Sequence, residues 1–185
     1  MGFISEKIDK IKYSLELDRI TEGDEREKAI VKGKDFEVTV YNLFPRLEFD
    51  LFAKNEDVFD PTFKGSFIQT RLPFDFGFEH KKSGQRFYVE CKYRSCFYHD
   101  VNKDIDILNI AKNKEQFEKY KKYSRENNVK VFIVVGVDGT PEKPKYMFCF
   151  PLEEIKYHTV YDYVCAKYER KPPTKLFAWR NGRLF

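Results

Sequence analysis

Between Leu72 and Arg94, hydrophobic and polar residues alternate strictly on either side of one polar tract. Leu72, Phe74, Phe76 and Phe78 alternate with Pro73, Asp75, Gly77 and Glu79. Beyond His80–Gln85, Phe87, Val89, Cys91 and Tyr93 alternate with Tyr88, Glu90, Lys92 and Arg94. A period of two assigns one set to a buried face and the other to the opposite face, so the stretch predicts a β-hairpin. Ser83-Gly84 inside the polar tract is a tight-turn signal. Two registers are open. A turn centred on Ser83–Gly84 sets Asp75 opposite Lys92 and Gly77 opposite Glu90. One centred on Lys82–Ser83 sets Asp75 opposite Glu90 and Gly77 opposite Tyr88. Either makes Asp75, Glu90 and Lys92 cross-strand or diagonal neighbours. Gly77 falls on their face, and a glycine inside a strand often marks a close approach. The expectation is that it leaves room for a substrate.

The pattern elsewhere predicts alternating helices and strands. Ile4, Ile8, Ile11 and Leu15 give a helix over Gly2–Leu17. A second helix spans about 24–44 and stops at Pro45, with Ala29, Gly33, Phe36, Val40 and Leu43 as its buried stripe. Gly33 in that stripe suggests close helix–sheet approach, and Glu37 borders the stripe. Leu47, Phe49 and Leu51 suit a short strand, and Phe67–Thr70 would begin the first hairpin strand. Asp104–Asn127 reads as mainly helical, with Leu108, Ala111, Phe117 and Tyr120 as its stripe. The β-branched run Val129–Val137 suits a central strand buried on both faces. Asp138–Pro141 is a turn, Lys145–Phe150 a strand, and Pro151–Ile155 a short helical turn. Tyr157–Tyr168 fits a helix or a strand. Asn181-Gly182 is a hairpin signal, and Trp179 is expected in the core.

Composition narrows the class. At 185 residues, with 42% hydrophobic and 35% charged residues, the chain is expected to form one domain over 1–185 with a substantial core. No run is long enough to span a membrane and the N-terminus does not read as a signal peptide, so no membrane partner is expected. Cys91, Cys96, Cys149 and Cys165 form no CxxC pair, which suits free thiols in a reducing cytoplasm. The net charge of +4 hides an asymmetry. Residues 1–60 hold 10 Lys/Arg against 15 Asp/Glu; residues 61–185 hold 24 against 15. A basic surround to an acidic cluster suits a polyanionic substrate.

Two neighbouring carboxylates repel, and a divalent cation removes that repulsion because hard cations choose oxygen ligands. An ammonium beside it can orient or deprotonate water. Asp75…Glu90-Cys91-Lys92, with Pro73 upstream, resembles the PD-(D/E)XK or restriction-endonuclease-like nuclease superfamily. Gln116-Phe-Glu-Lys-Tyr120 places Gln116 and Tyr120 on one helical face. It resembles the QxxxY motif that follows the catalytic hairpin in the RecB-type branch.

The resemblance covers about residues 24–155, with an N-terminal helix and a C-terminal hairpin appended. It implies an α/β restriction-endonuclease-like core, a small mixed central sheet flanked by helices. It implies a metal-dependent nuclease, most naturally on DNA, with Asp75, Glu90 and Lys92 catalytic. Mg²⁺, with Mn²⁺ as substitute, would be held by Asp75, Glu90 and the backbone carbonyl of Cys91. Glu37 is the candidate for a further ligand, since related nucleases often carry a glutamate on this helix. Gln116 and Tyr120 would position nucleic acid, and Lys114, Lys119, Lys121 and Lys122 would meet phosphates. A homodimer is compatible with this reading. The alternative from another class is a catalytically silent nuclease-like fold that binds nucleic acid or a protein. Two adjacent acids facing a polyanion argue against it.

Overall fold

The computed structural model of the protein describes residues 23–55, 68–70 and 72–185. The helix expected over Gly2–Leu17 lies outside them. Helix α1 covers 23–42. It is followed by β1 (Phe49–Asn55), β2 (Ile68–Thr70), β3 (Phe76–His80) and β4 (Gln85–Arg94). Then come β5 (Tyr98–Asp100), β6 (Ile105–Asn109), helix α2 (Lys114–Glu126), β7 (Lys130–Gly139) and β8 (Pro144–Pro151). The chain closes with β9 (Thr159–Tyr161), the short helix α3 (Asp162–Cys165), β10 (Trp179–Arg180) and β11 (Arg183–Leu184). Among the described residues, no helix is long and apolar enough to cross a membrane.

The architecture is mixed α/β, built on a central mixed sheet in the order β2-β1-β3-β4-β7-β8. The run expected to form a central strand is β7. It pairs parallel with β4 and antiparallel with β8, and Val131 to Val137 are all buried. Helices α1 and α2 cover opposite faces. Phe36, Val40 and Tyr41 of α1, with Phe44 just beyond its end, pack with Phe76, Phe78, Phe87, Val89 and Trp179. Phe117 and Tyr120 of α2 pack with Phe74, Val131, Ile133 and Val135. Trp179 stacks on Phe87 at 4.5 Å and donates its indole N–H to Gln85 Oε1 at 2.9 Å, so its place is the core. Asn181 and Gly182 both take positive φ, as the expected β10–β11 turn requires.

The hairpin adopts the register centred on Lys82–Ser83, with Phe76 opposite Val89, Gly77 opposite Tyr88 and Phe78 opposite Phe87. Its first strand is shorter than the alternation implied. Residues 72–75 lie outside any strand, and Phe74 joins the α2-side core while Phe76 and Phe78 join the α1-side core. The chain therefore bends at Asp75. Ile68–Thr70 does not open the hairpin; it is a separate strand, parallel to β1 at the sheet edge. The helix expected from Asp104 begins at Lys114, where Asn113 caps it by accepting the Gln116 N–H. Ile105–Asn109 before it pairs with β5 and β9 in a small three-stranded sheet. Tyr157–Tyr168 divides between β9, α3 and a 3-10 turn at Ala166–Tyr168.

Three glycines are redistributed by the packing. Gly33 meets nothing within 4 Å of a notional Cβ, and Ala29 is exposed, so the first turns of α1 do not approach the sheet. The close approach is at Gly136 of β7. A Cβ there would lie 2.8 Å from Phe36 Cζ and closer still to Cε2. Gly77 is also needed for room, but for the Phe52 ring (Cζ 2.8 Å from a notional Cβ) and Ala53, not for a substrate. Phe36 immediately precedes Glu37, so Gly136→Ala is expected to push α1 outward and cost about 1–3 kcal/mol by overpacking. Urea melts of Gly136→Ala and Gly33→Ala check this; equal loss in both refutes the close approach.

Candidate active site

The pairing of β3 with β4 ends at Phe76–Val89, whereas β4 runs on to Arg94 beside β7. Over Glu90–Arg94 the outer edge of β4 pairs with no strand among the described residues. Asp75 stands where β3 leaves off. Its Oδ2 accepts the Cys91 N–H at 2.6 Å, replacing the missing strand partner, and its carbonyl accepts the Asn55 N–H at 3.1 Å. N–H and C=O of one residue point to the same edge of a strand, so the Cys91 carbonyl also faces the Asp75 side. The Cys91 thiol is buried in the α1-side core, and burial pushes its pKa well up.

Glu90, Lys92 and Arg94 alternate onto the α2 face. Glu90 is 3% exposed, and its Oε1 is held by two donors, the Lys92 ammonium and the Tyr120 hydroxyl, the latter at 2.6 Å. Both bonds are charge-assisted, which fixes the carboxylate firmly. Burial, then Glu90, raise the Tyr120 pKa, so its phenol stays protonated. Arg94 donates to the carbonyls of Asn109 and Tyr93.

The acids of this cluster perturb one another. Burial, then Glu90 and Glu37, raise the Asp75 pKa well above the usual carboxylate range. Burial, then Glu90, push Glu37 up to about 7. One Glu37 oxygen, Oε2, is buried with no hydrogen-bond partner. Burial alone would lower the Lys92 pKa, but Glu90 and Asp75 outweigh it and hold the ammonium above its ordinary value. A second ammonium, Lys54 of β1, is 1% exposed and sits opposite Phe76, next to Asp75 in the chain. Its charge lowers the Glu37 pKa. Lys34 acts on Glu37 in the same direction and the Arg94 guanidinium interacts with Glu90, so three carboxylates face three ammonium groups and a guanidinium.

Among the described residues, no three His, Cys, Asp or Glu side chains stand ready as a metal-ligand set. Glu90 Oε1 serves Lys92 and Tyr120, and Asp75 Oδ2 serves Cys91. The donor chemistry nevertheless suits a hard divalent cation: clustered carboxylate oxygens and an orphaned one among them, Glu37 Oε2. Asp75, Glu90, Glu37 and Lys92 are brought into one electrostatic cluster.

Helix α2 places the remaining predicted residues unevenly. Gln116 is half-buried, and its Oε1 accepts the Lys112 N–H at 2.8 Å. It closes the helix N-terminus much as a capping box does, which leaves only its amide NH₂ for a ligand. Tyr120 is 2% exposed and holds Glu90 through its hydroxyl. Lys119 pairs with Glu115 at 2.9 Å, and the two line a groove of about 310 Å³ with Pro73, Lys112, Gln116 and Tyr120. Lys114 is exposed, Lys121 folds over the Phe117 ring at 4.9 Å, and Lys122 pairs with Glu126 at 3.8 Å. At 100° per residue, Lys114 and Lys121 fall on the flank away from Lys119. Neutralising Lys112 and Lys119 is therefore expected to lower the slope of log affinity for DNA against log salt by roughly two. Neutralising Lys114 and Lys121 should leave it unchanged. Equal slopes in the two double variants would show that the groove does not carry the strand.

Lys54 and Arg94 were not singled out by the sequence. Arg94 continues the Glu90–Lys92 alternation, so its face was readable. Lys54 carries no such signal, because its burial depends on what α1 and β3 bring against it.

No family model matches the sequence, and a search of curated proteins finds no significant match. Among solved structures, the chain is similar to Hjc, a Holliday junction resolvase from the archaeal hyperthermophile Archaeoglobus fulgidus. The TM-score is 0.40 and the identity 11%, over 71% of this chain and 86% of that one, a likeness too slight to carry a function across.

Proposed function

We propose that this protein is a metal-dependent nuclease that hydrolyses phosphodiester bonds in DNA, on a core of restriction-endonuclease-like type. The observation that carries the reading is the cluster of Glu37, Asp75 and Glu90 beside Lys92 at the open edge of β4, with the buried Glu37 Oε2 lacking a partner. Mg²⁺, or Mn²⁺ in its place, would be held by Asp75, Glu90, the Cys91 carbonyl and Glu37, and would supply Lewis-acid activation of the phosphodiester. Asp75 is pinned by the Cys91 N–H and Glu90 by Tyr120, so the acids are oriented before substrate arrives. Lys92 is held protonated at neutral pH by its acidic neighbours. Its part is then to stabilise negative charge developing on the phosphate oxygens rather than to remove a proton. The groove lined by Lys112, Gln116 and Lys119 offers the approach for a strand.

Single- and double-stranded DNA and RNA incubated with Mg²⁺ or Mn²⁺ test the proposal, with Glu90→Gln as the control. Cleavage of DNA that is lost with chelator and in Glu90→Gln is the expected result. No cleavage of any substrate, together with no metal binding by calorimetry, would sink it in favour of a silent nucleic-acid-binding module.

A further inference from the structure

A second cavity, of about 540 Å³, opens beside edge strand β8, between the Ala166–Tyr168 turn and the β10–β11 hairpin. Strands β7 and β8 separate it from the β4 edge that carries Asp75 and Glu90. Its wall includes Arg170, a cation only 5% exposed. The guanidinium lies over the Phe177 ring at 3.5 Å. Nη1 donates to Met147 Sδ at 3.3 Å, and Nη2 to the Lys175 carbonyl. Nε is buried with no acceptor. A thioether, one carbonyl and a ring face are weak company for a buried charge. Buried cations are ordinarily matched by a carboxylate or another anion. None faces Arg170: burial pushes its pKa down to about 10, and the sole group opposing that shift is Cys149. The guanidinium is therefore still cationic at neutral pH.

The rest of the cavity adds positive charge. Lys167, Lys171, Lys175 and Arg183 line it, against Glu154 and Glu169. The two acids are already engaged, Glu154 by Arg183 and Glu169 by Lys171 at 2.9 Å. Lys167 and Lys175 are exposed and have no acidic partner among the described residues. The surplus left at Arg170, Lys167 and Lys175 exceeds what one carboxylate would neutralise. A tetrahedral, polyvalent oxyanion matches it, and a guanidinium fork favours phosphate oxygens.

We propose that this cavity is an oxyanion site of the phosphate class, with Arg170 as its buried cation and Lys167 and Lys175 supplying charge at the walls. The proposal is independent of the nuclease reading. The phosphate can be free or carried by a nucleic acid.

Thermal melts of the full chain in inorganic phosphate, against chloride at matched ionic strength, test it. A saturable rise in Tm specific to phosphate is expected. Arg170→Met should abolish that rise. Lys167→Ser with Lys175→Ser, both exposed positions, should weaken phosphate binding roughly tenfold without altering the starting melt. This second variant carries the test should Arg170→Met fail to fold. Competition with a duplex distinguishes the sources. Displacement of phosphate by a duplex with 5′-hydroxyl ends indicates backbone phosphate, displacement by the 5′-phosphorylated duplex alone indicates a terminal phosphate, and displacement by neither indicates a small free anion. Each of these supports the oxyanion site. The same Tm in phosphate and chloride, or a rise that survives the lysine double variant unchanged, overturns it.

Discussion

On the proposed nuclease reading, Lys92→Met is expected to lower the cleavage rate by about 10²–10³-fold, the usual loss when one preorganised positive donor is taken from a reacting phosphate or carbonyl. Methionine keeps most of the stem and removes the ammonium, so the change isolates charge. The same substitution weakens the fold. Glu90 is buried, and Lys92 is one of its two donors. Without the ammonium, Glu90 faces Asp75 and Glu37 with less positive charge between them. Breaking one side of a buried ion pair costs about 3 kcal/mol, and the loss should be larger at pH 8 than at pH 5, where more of the carboxyl groups hold protons. Lys92→Arg restores the charge and much of the stability. It recovers only part of the rate, because a planar fork does not occupy the place of a compact ammonium. Single-turnover rates and urea melts on the three proteins separate the two effects. A Lys92→Met rate within about twofold of the parent would remove Lys92 from the chemistry.

The sequence was legible where one local pattern answered to one environment. Strand β7 is an unbroken β-branched run because both of its faces are covered, and no other element fits such a run so well. Strand β4 kept its alternation because α1 and α2 pack on its two sides along its length. Phe74 escapes that pattern: it continues the alternation in the sequence but faces the other core. Period two cannot register a bend that trades one hydrophobic face for another. Leu108 and Ala111 escape their pattern as well. Their spacing to Phe117 suits a helix, yet Ile105 and Ile107 alternate with Asp106 and Leu108 as a strand does. The candidate site divides in the same way. Asp75, Glu90 and Lys92 were visible because the hairpin itself juxtaposes them. Tyr120 was visible as a position on a helix face, but its bond to Glu90 needs the packing of α2 on the sheet. Lys54, and the exchange of Gly33 for Gly136 as the point of close approach, depend on contacts between elements far apart in the chain. No spacing rule encodes those.

In the absence of divalent metal, the protein is expected to lose stability as pH rises from about 4.5 to 7. The sign follows from Glu37. Its pKa is about 7 in the fold against an ordinary 4.5, with burial as the first cause and Glu90 as the second. Between those values the folded chain keeps a proton that the unfolded chain has released. Unfolding then releases protons, so stability falls with rising pH across that window and levels off above it. A shift of this size corresponds to roughly 3 kcal/mol as an upper figure, shared among coupled groups. Asp75, also raised, acts in the same direction. Lys92 does not enter, because a raised lysine loses its contribution only at far higher pH. His99, raised by its hydrogen bond to Asp106, gives a similar trend near neutrality, so the control must isolate Glu37. Glu37→Gln supplies it: the variant should be the more stable protein at pH 8 and nearly equal to the parent at pH 5. Mg²⁺ should restore the parent at pH 8 by binding the ionised acids, and should do little at pH 5, where protons compete for the same oxygens. Urea melts at the two pH values, with Mg²⁺ and with chelator, measure all four corners. A metal-free parent as stable at pH 8 as at pH 5, with no gain from Glu37→Gln, would mean that the acids of this cluster are not held against one another.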